Sequence, residues 1–441
     1  MDGTWLERAR RPRFAAGTLR YGAVGLGLVI AWLLTGELGM AMRDRAIVPA
    51  SLEMLRRYGA SDNTVSVLLS GVPAVLSLFM VPLIGPVSDR LRGRWGRRRP
   101  FLFLLAPSGA LTLAGMAASQ RIGAAAALGG AAAPDYALTV FALCWSVFCA
   151  VVLCAKSLYF ALVNDVLPSA WLGRFFGLYR IVSLSIGIAF YCRVFPALDH
   201  ALYAITALAG LVFGASIILM CVMVREGEYP PAAPAPDDAP GRGRPALAVA
   251  FALPRAGWIY AALALGGMVF GPFNTFSQYY AASLGMSKAA LGELSALAYG
   301  VSIVLALPIG ILADRIGALR VSLWVMALYG AAIGAGYAVL RDGAAFGPVY
   351  LVHVVLSGAY FTAAASLPMA LFPRLDFLRY CAFSDVLGSL AGIALSAVQG
   401  ALLDRTGHDY RVTLLYAACA AAACTLCLAR LAWAQGAAAR A

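Results

Sequence analysis

Apolar runs of about twenty residues, each closed by a cluster of charge, glycine or proline, recur along the whole chain. At about 1.5 Å per residue, such a run folded as an α-helix crosses about 30 Å of hydrocarbon. The pattern predicts helices over 21–56, 63–87, 100–119, 135–162, 175–193 and 199–224, then over 256–282, 288–312, 321–340, 346–372, 381–402 and 410–432. Between the two sets, the stretch YPPAAPAPDDAPGRGRP combines proline, glycine and alternating charge and predicts a linker instead of a helix. The expected organisation is a cytosolic N-terminal segment (1–20), a six-helix bundle (21–224), a cytosolic linker (225–255), a second six-helix bundle (256–432) and a cytosolic tail (433–441). The fold class is therefore an all-α membrane protein with 12 transmembrane helices in two pseudo-symmetric bundles.

Internal repetition supports the duplication. Gly85 precedes Asp89-Arg90 at the end of the second helix, and Gly310 precedes Asp314-Arg315 at the end of the eighth with the same spacing. Pro168 precedes Arg174 by six before the fifth helix, as Pro373 precedes Arg379 before the eleventh. Two landmarks at equivalent helix numbers point to diverged parallel repeats, the plan of rocker-type transporters.

Composition excludes a single soluble core. Of 441 residues, 62% are hydrophobic and 12% charged, whereas soluble domains carry about 25% charged residues. The net charge of +13 raises the question of nucleic acid, and the placement of the charge answers it. With the N-terminus inside, 23 of the 34 basic residues fall in inner segments and 10 in outer ones. That is the positive-inside bias of a membrane protein and no signature of polyanion binding. The Arg-rich first residues lead into an apolar run too long for a signal peptide and containing Glu37, so an uncleaved first span is expected. The nine cysteines lie in apolar stretches and read as packing residues; the CxxC of Cys424 and Cys427 has wholly apolar neighbours and no further ligand. No metal or cofactor is expected, and no Walker loop, dinucleotide fingerprint, HExxH or nucleophile elbow marks an enzyme or a primary pump.

The stretch Gly85-Pro-Val-Ser-Asp89-Arg90-Leu-Arg-Gly-Arg-Trp-Gly96-Arg97-Arg98-Arg99-Pro100 resembles the signature loop of the major facilitator superfamily. Its lengthened middle, with Leu172-Gly-Arg174-Phe-Phe-Gly-Leu-Tyr-Arg180 and Pro272-Phe-Asn274-Thr-Phe, is similar to sucrose transporters and related glycoside:cation symporters. The resemblance implies the major facilitator fold and places gating groups at the inner face: Asp89, Arg90, Arg97 and Arg98, with Asp165 and Arg174, and in the second half Asp314, Arg315 and Arg379. The chain lacks the Gly-Pro-rich fifth helix of drug:proton antiporters and the second-helix aspartates of melibiose-type permeases.

Ionisable and amide side chains inside apolar runs are costly and usually face a cavity or one another. Glu37, some 16 residues into the first helix, is the leading candidate for proton coupling or substrate binding; the competing reading is a packing carboxylate bonded to an arginine. Asp44 and Arg45 follow on the same helix. Lys156, in the fourth helix, either snorkels to the interface or counters Glu37 or Asp165. Asn274 and Gln278 are four apart on one helical face beside Tyr279, a combination of amides and aromatics suited to sugar hydroxyls and ring faces. His353 and Asp385 are weaker members of this set, and His353 by itself reads as a bonded core residue. The expected function is secondary active transport of a small solute, a sugar or glycoside in symport with a proton, by a monomer in the bacterial inner membrane with both termini cytosolic. The competing readings are a solute sensor or pigment-assembly factor on a transporter fold, or an exporter of another small molecule.

Overall fold

A computed structural model describes residues 14–91, 93, 95–127, 133–228, 251, 253, 255–372 and 377–438. A short hairpin opens it, β1 (Phe14–Ala16) pairing antiparallel with β2 (Leu19–Tyr21). Then come α1 (Ala23–Met42) and α2 (Val48–Arg57), joined by a π-helical turn at Arg43–Ile47, and α3 (Asp62–Ser66) and α4 (Val72–Arg90), joined by another at Val67–Gly71. Next are α5 (Arg99–Ala127), α6 (Ala133–Val166), α7 (Ser169–Ala189) and α8 (Leu198–Met223). The second set is α9 (Ala256–Met268), α10 (Gly271–Ser283), α11 (Lys288–Ile316), α12 (Ala318–Val339), α13 (Gly343–Ala364), α14 (Leu367–Leu371), α15 (Phe377–Arg405) and α16 (Val412–Ala438).

Among the described residues, eleven helical stretches are long and apolar enough to cross a membrane. One of them, Arg174–Met223, has 50 residues and would run about 75 Å if straight, more than twice the hydrocarbon thickness. It turns a corner instead: a π turn at Phe190–Val194, a 3₁₀ turn at Phe195–Ala197 started by Pro196, and non-helical dihedrals at Ala201. Two passes lie on either side of that corner, and the fold is that of twelve membrane helices. Large apolar side chains such as Leu111, Leu143, Val304, Leu307 and Trp433 are exposed. Hydrocarbon solvates such a surface, whereas water would not.

Two helices predicted as continuous are interrupted. The seventh breaks into α9 and α10 at Val269-Phe270, just before Pro272, which supplies no N–H to the preceding turn. The carbonyl of Pro272 accepts a hydrogen bond from Gln399 Nε2 at 3.0 Å. The tenth ends at Ala364, and Pro368 starts the separate single turn α14.

The chain divides into two compact units, residues 1–60 with 79–233 and residues 61–78 with 234–441. In the first, α5 packs on α6 and α8, and α1 packs on α7 and α8. Glycine permits the close approach of α1 to α8: a Cβ on Gly39 would stand 2.4 Å from Ser216 Oγ and 3.1 Å from the Phe213 carbonyl oxygen. In the second unit, α12 packs on α13 and α16, α11 on α13, and α9 on α15 and α16. Residues 61–78, expected from sequence with the first bundle, group with the second because α3 and the π turn after it lie along α15. Ser66 Oγ donates to the Ser396 carbonyl at 2.7 Å and Ser77 Oγ pairs with Ser389 Oγ at 2.8 Å.

Candidate functional site

The first unit gathers its polar groups around α1. Glu37 is 1% exposed, and neither carboxylate oxygen meets hydrogen-bond geometry with any described residue. Its electrostatic neighbours are the hydroxyls of Tyr179 and Ser183 on α7, Lys156 on α6 and Asp44. Lys156 thus acts on Glu37 and Asp44, while Asp165, the other acid weighed against it from sequence, is held by Arg97 and Arg98. Tyr159, beside Glu37, donates instead to the Leu33 carbonyl at 2.9 Å. Asp44 accepts from Arg43 at 2.9 Å, and both lie in the π turn with Arg45. Such one-turn π insertions re-aim side chains and recur at functional positions. Tyr159, Tyr179 and Ser183 carry no sequence signal that separates them from the other tyrosines and serines of apolar helices.

At one end of this unit lies the arginine cluster. Arg97 grips Asp165 through two bonds of 2.6 and 3.1 Å, a planar fork on a carboxylate. Arg98 lies 3.4 Å from the same carboxylate and donates to Ser88 Oγ. The backbone N–H groups of Arg97, Arg98 and Arg99 all donate to the Glu226 carboxylate, at 2.8 to 3.2 Å. Glu226 therefore caps α5, satisfying donors that a helix start leaves open. In the sequence Glu226 is one acid in a polar segment after α8, with no signal that marks it as a cap. Arg174 is exposed and stacks on Trp171 at 4.7 Å. Arg90 and Arg315 are exposed in the last turns of α4 and α11, where loops were expected. The side chains of Asp89, Asp314 and Arg379 lie outside the described residues.

The second unit holds a hydrogen-bonded chain across three helices. Tyr329 Oη on α12 and His353 Nδ1 on α13 are 2.9 Å apart, and His353 Nε2 and Asn274 Oδ1 on α10 are 2.9 Å apart. His353 is 0% exposed, between the rings of Phe270 and Phe273. With the amide oxygen facing Nε2, that nitrogen is the donor and Nδ1 accepts from the tyrosine: a neutral imidazole with both nitrogens used. Asn274 lies in the first turn of α10 and is exposed, and its oxygen is the atom committed to His353. Gln278 and Tyr279 follow on α10, half-buried, with Tyr279 edge-on to Tyr410 at 6.2 Å. Asp385 is exposed on α15.

Residues 33–376 match the Major Facilitator Superfamily. Among solved structures, a nucleoside transporter NupG mutant aligns with TM-score 0.67 at 15% identity, covering 91% of this chain and 99% of that one. A D-xylose-proton symporter aligns at 0.66 and 13% identity, covering 91% and 97%. At these identities the likeness shows the fold alone. Solute carrier family 45 member 3 from Mus musculus is 36% identical over 92 residues, 21% of this chain; the Homo sapiens protein of that name is 44% identical over 52 residues, 12% of this chain. The matched stretches span only 16% and 9% of those relatives. The duplicated helical fold, the arginine cluster before α5 and the family match over most of the chain give one conclusion: this integral membrane protein belongs to the Major Facilitator Superfamily.

Proposed function

We propose that the protein is a secondary active transporter of a small hydroxylated solute, a sugar or glycoside, moved in symport with a proton by alternating access. The observation that carries the proton is Glu37, a carboxylate buried in a membrane helix and left without a hydrogen-bond partner among the described residues. An ionised carboxylate so placed is costly unless paired, and a group whose pairing is incomplete in one state is free to gain a partner or a proton in another. Lys156, Tyr179 and Ser183 stand ready as those partners. The sugar reading rests on Asn274, Gln278 and Tyr279, which offer directional donors and an aromatic face on one short helix. Asp44, Arg45 and Asp385 supply further polar positions, and the Arg97–Asp165 pair supplies a contact able to break and re-form as the transporter cycles. The D-xylose-proton symporter shares the fold, in keeping with this reading.

Purified protein in proteoliposomes, given radiolabelled sucrose, maltose and xylose under an imposed proton gradient, tests it. Accumulation that Glu37→Gln abolishes while counterflow exchange persists is the expected result. Gradient-driven accumulation unchanged in Glu37→Gln would remove the proton role, and absence of flux for every sugar would remove the substrate class.

A further inference from the structure

The second unit contains a charged cluster that the transport reading does not use. Asp404, at the end of α15, accepts through Oδ1 from the Asp62 N–H at 3.0 Å and through Oδ2 from the Asn63 N–H at 3.1 Å, so α15 caps the start of α3. The Asp62 carboxylate faces back across the junction, where His408 Nδ1 lies 2.7 Å from Oδ2 and Tyr410 Oη donates to Oδ1 at 3.3 Å. Asp62 is 3% exposed, while the His408 side chain is 58% exposed. The approach is tight at the backbone, since a Cβ on Gly400 would stand 2.5 Å from the Asn63 Cα.

The loop is shaped to deliver the histidine. Gly407 and His408 are both left-handed, with φ of 66° and 63°, a conformation that is uncommon for a residue with a side chain. His408 N–H closes the turn onto the Leu403 carbonyl at 3.0 Å. The charges facing the imidazole are Asp62 from α3 and Asp404 from α15, with Tyr410 beside it at 6.4 Å between ring centres. Among its chain neighbours, Arg405 and Asp409 are exposed, and Arg411 turns away to donate to the Tyr337 carbonyl.

We propose that Asp62, Asp404, His408 and Tyr410 form a proton-sensitive latch that fastens residues 61–78 to α15, tight when His408 is protonated and looser when it is neutral. The hydrogen bond and charge of Asp62, aided by Asp404, raise the His408 pKa above its ordinary value against a small desolvation effect. The latched state therefore binds the proton more tightly than the released state. By linkage, protonation favours latching at low pH, and that preference is lost as pH rises through the raised value. Because the ring is largely exposed, the expected effect is modest, roughly threefold in the latching equilibrium. This latch is independent of the solute and of Glu37.

Hydrogen exchange of the full chain in lipid nanodiscs, read in peptides covering 61–71 and 404–411, tests the latch. His408→Asn is the informative variant, because asparagine tolerates the left-handed backbone and can still donate to Asp62 without titrating. Comparing wild type with variant at one pH cancels the chemical exchange rate in the 61–71 peptide, whose sequence the substitution leaves unchanged, and that peptide carries the comparison. The wild type is expected to exchange roughly threefold more slowly than His408→Asn near pH 5.5, and at the same rate near pH 8. An equal ratio at both pH values overturns the latch. So does an Asp62→Asn variant that keeps the wild-type pH dependence, or protection that appears only on adding Zn²⁺, which would reassign the cluster to a cation.

Discussion

Removing the hydroxyl of Tyr329 should destabilise the second unit far more than one lost oxygen suggests. In Tyr329→Phe the ring volume is kept, but His353 Nδ1 loses its donor. The imidazole cannot escape to water, being fully buried between Phe270 and Phe273. Nor does a change of tautomer help. If Nδ1 takes the proton, Nε2 becomes an acceptor facing Asn274; even if the amide flips to donate, the new Nδ1–H has no acceptor. One ring nitrogen stays unsatisfied either way. Interhelical hydrogen bonds in membranes average about 0.6 kcal/mol, and a stranded buried group adds to that, so about 1 to 2 kcal/mol is expected. The decisive measurement is a double-mutant cycle with His353→Phe, read by equilibrium unfolding of the full chain in mixed micelles. His353→Phe alone strands the buried Tyr329 hydroxyl, whereas in the double variant neither group remains and Asn274 is rewetted. The double variant should therefore lose less than the sum of the singles, by about 1 kcal/mol or more. Additivity within about 0.3 kcal/mol would show that the three side chains are neighbours without being a bonded chain.

Gly400→Ala should push α3 off α15, since its Cβ meets the Asn63 backbone at 2.5 Å; overpacking of about 1 to 3 kcal/mol should deprotect residues 61–71 to hydrogen exchange at every pH. Glu226→Ala should strip the cap from α5 by freeing the N–H groups of Arg97, Arg98 and Arg99. The cost should be about 1 to 2 kcal/mol in unfolding experiments, with Glu226→Gln recovering part of it through its remaining acceptor oxygen.

The membrane helices were legible because lipid imposes a rule that sequence displays: every pass needs a long apolar run. Proline is a less decisive mark, since α5, α11 and α13 run unbroken through Pro107, Pro308 and Pro348. Pro272 and Pro368 do stand beside breaks, although the sequence pattern by itself ran continuous helices through both. Glu37 was legible for the same reason, as a charge where charge is costly. Partnerships were not legible. Asp62 and His408 are 346 positions apart, and each sits in a loop-like context where acids and histidines are common. Tyr329 is one of 19 tyrosines, and only the packing of α12 against α13 selects it for His353. The grouping of residues 61–78 with the second unit depends on serine and glycine contacts with α15, which leave no mark in hydropathy.

Hydrogen-bonding capacity separates the groups that hold the structure from those free to act. A transporter works by changing which groups pair as solute and ion bind, so a side chain already saturated by the protein contributes rigidity, and one left short contributes response. His353, with both nitrogens engaged, belongs to the first kind despite being the residue type most often invoked for proton transfer. Glu37 belongs to the second, with two buried oxygens short of full hydrogen-bond geometry and the Tyr179 and Ser183 hydroxyls and Lys156 beside them. Asn274 divides between them: its oxygen is committed to His353, while the residue is exposed in the first turn of α10 and its NH₂ is left to serve a solute acceptor. On this reasoning, Glu37→Gln should alter coupling and leave stability nearly unchanged, whereas Tyr329→Phe should lower stability and, by loosening Asn274, weaken solute affinity without altering coupling. A Tyr329→Phe protein that uncouples proton from solute would invert the assignment of the two sites.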